Sequence, residues 1–169
     1  MNTLEAIRTR RSIRQYTDET VSSEMINELL RAAMSAPSAG NGQPWQFVVV
    51  DDRSTLDQIP SVSPYAAMCK QARLAILVCG DTTKEKYPGF WVQDGSAAIM
   101  CLLLAAHEKG LGAVWTGAHP MPDRVAGLQK LFGLPENVIP LGLVVIGHPA
   151  KTVAAQDRYQ EQRVHYNKW

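Results

Sequence analysis

Apolar residues along this chain follow two rhythms, one with the helical period and one in short unbroken runs. Between residues 22 and 36, Ile26, Leu29, Leu30, Ala33 and Met34 fall at i, i+3 and i+4 spacing. That spacing puts them on one face of an amphipathic helix. Ser22 or Ser23 can cap the helix and Pro37 stops it. A shorter helix opens the chain, capped by Asn2 or Thr3, carrying Leu4 and Ile7 and running to about Arg10. Trp45–Val50 reads as a strand, 74–79 as a buried strand, and Pro64–Lys70 as a short helix between them. The longest helix is expected over 92–109. Its middle, 97–106, is apolar nearly all round, which predicts burial on every side, in a core or against another subunit. Gly110 ends it. A short strand follows at 112–116. Pro122 then opens a helix carrying Val125, Leu128 and Leu131, which Gly133 closes before a last strand at 138–146.

The predicted order is helix, helix, strand, helix, strand, helix, strand, helix, strand. That order describes a mixed sheet wrapped by helices. No repeat, low-complexity tract or linker divides the chain, so residues 1–169 read as one domain. After Pro149 the chain turns polar, yet it ends in Tyr159, His165, Tyr166 and Trp169. A disordered tail is poor in aromatics, so this one is expected to dock on a surface.

Composition narrows the function. The chain has 169 residues, 46% of them hydrophobic and 20% charged, with a net charge of +1. That balance gives no reason to propose nucleic acid or a membrane as partner. The longest apolar run is too short to span a bilayer. The start is polar and helix-like, with no signal peptide, so the cytoplasm is the expected location. Cys69, Cys79 and Cys101 form no CxxC pair and read as small buried hydrophobes in a reducing compartment. No GxGxxG follows a strand, and no GxxxxGK[ST] or G-x-S-x-G occurs. His107, His119, His148 and His165 lack metal-ligand spacing.

Three segments stand out. The first holds Arg10, Arg11, Ser12 and Arg14 at the end of a helix. Three guanidinium groups and a hydroxyl there can bind a phosphate, although a solvated basic face explains the same residues. The second is a loop containing Pro37, Ser38, Ala39, Asn41 and Gln43. Its small residues let backbone approach a flat ligand, and the two amides match a heterocycle edge. An ordinary turn accounts for it equally well. The third is the strand end Trp115, Thr116 and Gly117, where a backbone N–H could face a ligand.

In this order the segments resemble the nitroreductase family, in particular its short-chain branch. Four stretches carry the likeness: RRSIRQY, APSAGNGQPWQF, GFWVQDGSAAIMCLLLAAHEKGLGAVWTG, and IPLGLVVIGHPA followed by DRY and RVHYNKW. Together they cover nearly the whole chain. The resemblance implies an α+β fold with a mixed, mainly antiparallel sheet, and an intertwined homodimer with FMN at the interface. By position, Arg10, Arg11 and Ser12 look like contacts to the FMN phosphate and ribityl chain, and Arg158 completes that site. Arg14 looks like the side chain near the flavin's pyrimidine edge. Pro37, Ser38, Ala39 and Asn41 look like the loop that arrives from the partner subunit. Trp115, Thr116 and Gly117 look like the backbone donor to flavin N5. Residues 150–169 would be a tail embracing the partner.

Two departures appear. Longer members place an Asn and a Lys over the pyrimidine ring where this chain has Tyr65 and Met68. They also carry a helical insertion where only 80–90 stand here, which predicts an open flavin face walled by Tyr65, Phe90, Trp91 and the partner loop. The implied activity is ping-pong reduction of nitroaromatics, quinones or similar flat acceptors with NADH or NADPH. The same fold also hosts dehalogenation, flavin fragmentation and enone or azoline oxidation. Outside catalysis, a flavin-storage or redox-sensing protein is the competing reading.

Overall fold

Strand β2 (Leu74–Asp81) has no polar alternation, and all of it is buried. It lies inside a sheet whose two faces are both covered. With β1 (Trp45–Val50), β3 (Gly112–Gly117) and β4 (Val138–Gly147) it forms a four-stranded sheet in the order β1-β2-β4-β3. Every neighbouring pair is antiparallel. The parallel component is a single isolated bridge between Ser12 and Ala113. The structure is a computed structural model and describes residues 1–169.

Successive residues of a strand point to opposite faces. Leu74, Ile76 and Val78 meet Leu29 and Ala33 of α2 (Ser23–Met34), and Ile99 and Leu102 of α4 (Trp91–Glu108). Ala75, Leu77 and Cys79 meet Leu56 and Ile59 of α3 (Arg53–Val62), and Leu128 of α5 (Pro122–Phe132). The short α1 (Thr3–Thr9) starts with a capping box between Asn2 and Glu5. The segment Pro64–Lys70 is a 3-10 helix kinked at Ala66.

Helix α3 is absent from the pattern-based expectation. It carries only Leu56 and Ile59 as buried residues, and Pro60 inside it reads as a breaker. The helix forms because Asp52 caps it, accepting from the Thr55 amide at 2.9 Å and from the Ser54 hydroxyl at 2.6 Å. Hydrogen bonds from the Ser54 and Thr55 hydroxyls, with the Thr55 amide, hold the Asp52 carboxyl down to about 2. Because its folded value is depressed, that capping is fully present above the ordinary carboxylate range and is lost as pH falls towards about 2.

Of the two alternatives expected for the long helix, the core of one subunit alone does not bury it all round. The sheet and α2 cover only part of its girth. Ala97, Cys101 and Leu104 are half-buried and Met100 is 38% exposed, at i, i+3, i+4 and i+7 spacing. They form one apolar stripe on the outside. The tail does not dock on its own subunit either: residues 150–169 are exposed throughout, and Trp169 is wholly so. Cys69 and Cys79 are buried free thiols, and burial pushes each up to about 12. No helix is long and apolar enough to cross a membrane.

Trp91, at the start of α4, lies against Gly80 of β2. A Cβ at residue 80 would stand 2.3 Å from the indole Cε3. Gly80→Ala should therefore destabilise the fold by about 1–3 kcal/mol through overpacking. Urea unfolding should show a lower midpoint at unchanged slope, and a midpoint equal to that of the parent would contradict this packing.

Candidate functional site

Helix α1 ends at Arg10, whose amide donates to the Ala6 carbonyl at 3.0 Å. The chain then runs extended beside β3, with the Ile13 amide donating to the Ala113 carbonyl at 3.0 Å. Gly112 permits this approach, since a Cβ there would lie 2.7 Å from Ile13 Cγ2. After β4 the chain returns along the same segment. The Thr17 amide donates to His148 O and the Ala150 amide to Gln15 O, both at 2.9 Å. That return aims the tail back at the end of α1.

The result is a cleft of about 740 Å³ lined by Arg8, Arg10, Arg11, Gln156, Arg158 and Tyr159, among others. Burial lowers the Arg10 pKa from its ordinary value, and the charges of Arg158 and Arg11 lower it further. No carboxylate lies within 4.0 Å of these guanidinium groups. Asp157 turns its carboxylate to the Tyr159 amide at 3.0 Å. Arg10 Nε is buried with no hydrogen-bond partner. A buried unpaired donor among like charges is costly unless an anion answers it. The residues present therefore fit a phosphate.

Strand β3 is an outer strand. In an antiparallel pair, the N–H and C=O groups of alternate residues face alternate sides. The Ala113 carbonyl faces outward to Ile13, so the backbone groups of Trp115 and Gly117 face the same open edge. Arg124 uses the Gly117 carbonyl, donating from Nη1 at 3.2 Å. Its guanidinium also lies 4.7 Å from the centroid of the exposed Tyr65 ring. Thr116 is buried and directed back to Leu143 O.

The loop 37–43 stands elsewhere. Its Ala39 amide donates to Asp94 Oδ1 at 2.9 Å, in the first turn of α4. Lys86 Nζ donates to Gly40 O at 3.1 Å. Gln43 Nε2 donates to Asn41 Oδ1 at 2.9 Å, so the two amides first bond to each other. Asn41 and Gln43 have φ of 55° and 50°, uncommon values for non-glycine residues that often mark functional loops. The loop leads into β1, and two strands separate it from β3, about 14 Å across the sheet. The arginine cluster sits at the far end of α4, where Thr9 Oγ1 and His107 Nε2 are 2.8 Å apart. Asp94 and His107 are about 20 Å apart along that helix.

One subunit thus brings together Arg10, Arg11 and Arg158. It runs Ser12 and Ile13 beside β3 towards Trp115 and Gly117. It leaves Pro37, Ser38, Ala39, Asn41 and Gln43 apart from both. Arg14 is exposed and lies close enough to Tyr16 to oppose the burial-driven rise of that phenol's pKa. Trp91, expected as a wall of an open face, is instead buried against Gly80 and packed edge-on to His119 at 4.9 Å. Tyr87 and Phe90 are the exposed aromatics of that segment. Sequence reasoning missed Asp94, Lys86 and Arg124. Asp94 had a visible signal as the acid in the first turn of a mostly apolar helix, whose other acid, Glu108, is its last residue; the other two acquire their places only from the fold. No cluster of His, Cys, Asp or Glu could hold a metal.

Comparison with known proteins gives a consistent result. The chain matches the Nitroreductase family over residues 7–63 and 60–148. A relative from Methanothermobacter thermautotrophicus, named as a candidate NADH dehydrogenase/NAD(P)H nitroreductase, is 52% identical over 100% of this chain and 88% of its own. The FMN reductase [NAD(P)H] of Bacillus subtilis is 31% identical over 92% of this chain and 69% of its own. Among solved structures, a candidate nitroreductase in complex with FMN from Desulfovibrio desulfuricans superposes with a TM-score of 0.86. It is 32% identical and covers 100% of this chain and 99% of its own. On the arginine cleft, the open β3 edge and these matches together, the chain belongs to the nitroreductase family.

Proposed function

We propose that this protein is an FMN-dependent oxidoreductase that draws on NADH or NADPH and reduces flat, electron-poor acceptors such as nitroaromatics and quinones. The observation that carries the reading is the Arg10, Arg11 and Arg158 cluster, whose guanidinium groups have no carboxylate within 4.0 Å and which holds an orphaned buried Arg10 Nε. A phosphate monoester answers all three groups through charge-assisted bonds. Ser12, paired beside Ala113, and the open amides of Trp115 and Gly117 would hold a ring tethered to that phosphate. Two relatives whose names pair a nicotinamide donor with a reductase, and a relative solved with FMN, support the same assignment.

When bound, FMN would supply the electron transfer between a nicotinamide donor and a flat acceptor in a ping-pong cycle. The chain's own groups hold and orient. Arg10, Arg11 and Arg158 fix the phosphate. The Trp115 and Gly117 amides would donate to the polar edge of a bound ring, and Arg14 would add positive charge beside it. Water supplies the proton, so no acid–base pair is required. Exposed Tyr87 and Phe90, whose ring centroids are 6.0 Å apart, lie beside loop 37–43 and would offer a stacking wall for a flat acceptor at the partner's site.

The wall missing from one subunit is a second copy. Loop 37–43 stands too far from its own arginine cluster to share a ligand with it, so it serves the partner's site. The stripe Ala97, Met100, Cys101 and Leu104 supplies the apolar contact between subunits. We place the whole chain, 1–169, as one domain with 150–169 wrapping the partner. Three free cysteines suit the reducing cytoplasm.

The protein should purify yellow, and mass spectrometry of the heat-released cofactor should return FMN. FAD or haem as the dominant species would contradict the arginine site. Arg10→Ala and Arg158→Ala should each weaken FMN by at least about tenfold, since a charge-assisted bond is worth about 1.5–3 kcal/mol and about 1.4 kcal/mol is one decade. Fluorescence titration of the stripped protein measures this, and unchanged affinity in both variants would sink the site.

Sedimentation equilibrium should find no monomer at micromolar concentration. Within that dimer Cys101 should resist a thiol reagent until dissociation, and deleting 159–169 should release FMN or precipitate the protein. A soluble, flavin-loaded monomer after the deletion would refute the shared site.

Anaerobic stopped-flow mixing of the NAD(P)H-reduced protein with nitrofurazone or a simple quinone tests the reaction. Fast flavin reoxidation by either is expected. Failure of NAD(P)H to reduce bound flavin would remove the oxidoreductase reading and bring flavin storage forward.

A further inference from the structure

We propose that Arg124 is a further cofactor-facing cation, which meets the pyrimidine end of the bound flavin ring and stabilises the negative charge that end gains on reduction. The inference rests on the FMN reading above. Arg124 lies in the first turn of α5, outside every segment that the sequence singles out. Its Nη1 donates to the Gly117 carbonyl at 3.2 Å. That carbonyl and the Gly117 amide face the same open edge of β3, so the guanidinium stands beside the donors offered to the ring.

Two further observations set Arg124 apart from an ordinary surface arginine. Its guanidinium is stacked on Tyr65, 4.7 Å from the ring centroid, while Tyr65 itself is 67% exposed. The contact therefore packs no core; it holds the guanidinium at the ring face by a cation–π attraction. No carboxylate lies within 4.0 Å of the group, not even that of neighbouring Asp123. One N–H is used on Gly117, and a guanidinium has five. The result is an uncompensated cation with spare donors, anchored by the Gly117 carbonyl and the Tyr65 ring at the edge where the flavin is expected. The dimethylbenzene end of a flavin has no hydrogen-bonding atom. The pyrimidine end has two carbonyls and carries the charge of the reduced ring, so only that end answers a cation.

The test is the two-electron potential of bound FMN, from dye-equilibrated titration, with affinities for oxidised and dithionite-reduced FMN. Arg124→Ala should loosen reduced FMN about tenfold more than oxidised FMN, a fall of about 30 mV. Arg124→Gln keeps a donor for the Gly117 carbonyl and removes the charge, and it should show the same fall. Arg124→Lys should recover part of it. Riboflavin, which lacks the phosphate, should lose affinity in Arg124→Ala by the same factor as FMN, whereas Arg10→Ala should affect FMN alone. A parental potential in both Arg124→Ala and Arg124→Gln, with FMN still bound, overturns the inference and leaves the FMN reading intact. Equal loss of both redox forms assigns Arg124 to the α5 turn and overturns it too. If the parent protein itself fails to bind FMN, both fall together.

Discussion

Both faces of the sheet are covered, and this constraint orders the rest of the molecule. Helices α2 and α4 close one face, and α3 and α5 the other. The backbone left for a ligand is then the rim. On the β3 side the rim is half taken: the N-terminal segment bridges at Ser12–Ala113 and stops, leaving Trp115 and Gly117 open. The same bridge draws Arg10 and Arg11 to the foot of that edge, and the chain's return beside Gln15 brings Arg158 to meet them. Backbone pairing thereby lays out the proposed phosphate and ring sites along one line, before any side chain chooses a ligand.

The same constraint bears on the proposed dimer. A sheet covered on both faces keeps its two outer strands apart, so the loop before β1 and the open edge of β3 stand on opposite sides of the subunit. The outer stripe of α4 and the aromatic tail are apolar surfaces without cover in the single chain. An arrangement related by a two-fold axis covers each with its counterpart, as isologous contacts do.

Much of the fold was legible because burial is periodic. The unbroken apolar run of β2 and the i, i+4 stripe of α2 each announce an element whatever surrounds it. Helix α3 was illegible because its evidence is a cap and two apolar residues, cancelled on paper by Pro60. A proline in the last turn of a helix costs one backbone bond, which the packing of Leu56 and Ile59 outweighs. The arginines of the cleft were legible as a cluster, and Arg158 only by likeness to relatives. Asp94 was readable as an acid in the first turn of a mostly apolar helix. Arg124 was not, since nothing local marks an arginine whose partners, Tyr65 and the Gly117 carbonyl, are brought to it from distant parts of the chain.

The placement of Arg158 has a consequence for linkage. It belongs to the exposed tail, and the tail is the element read as clasping the second subunit. Cofactor retention and subunit association then share one contact, so each strengthens the other by the same free energy. Dilution alone would discharge the flavin, and flavin would in turn slow the exchange of subunits between dimers. A protein built this way reports its own concentration through the fraction that is coloured.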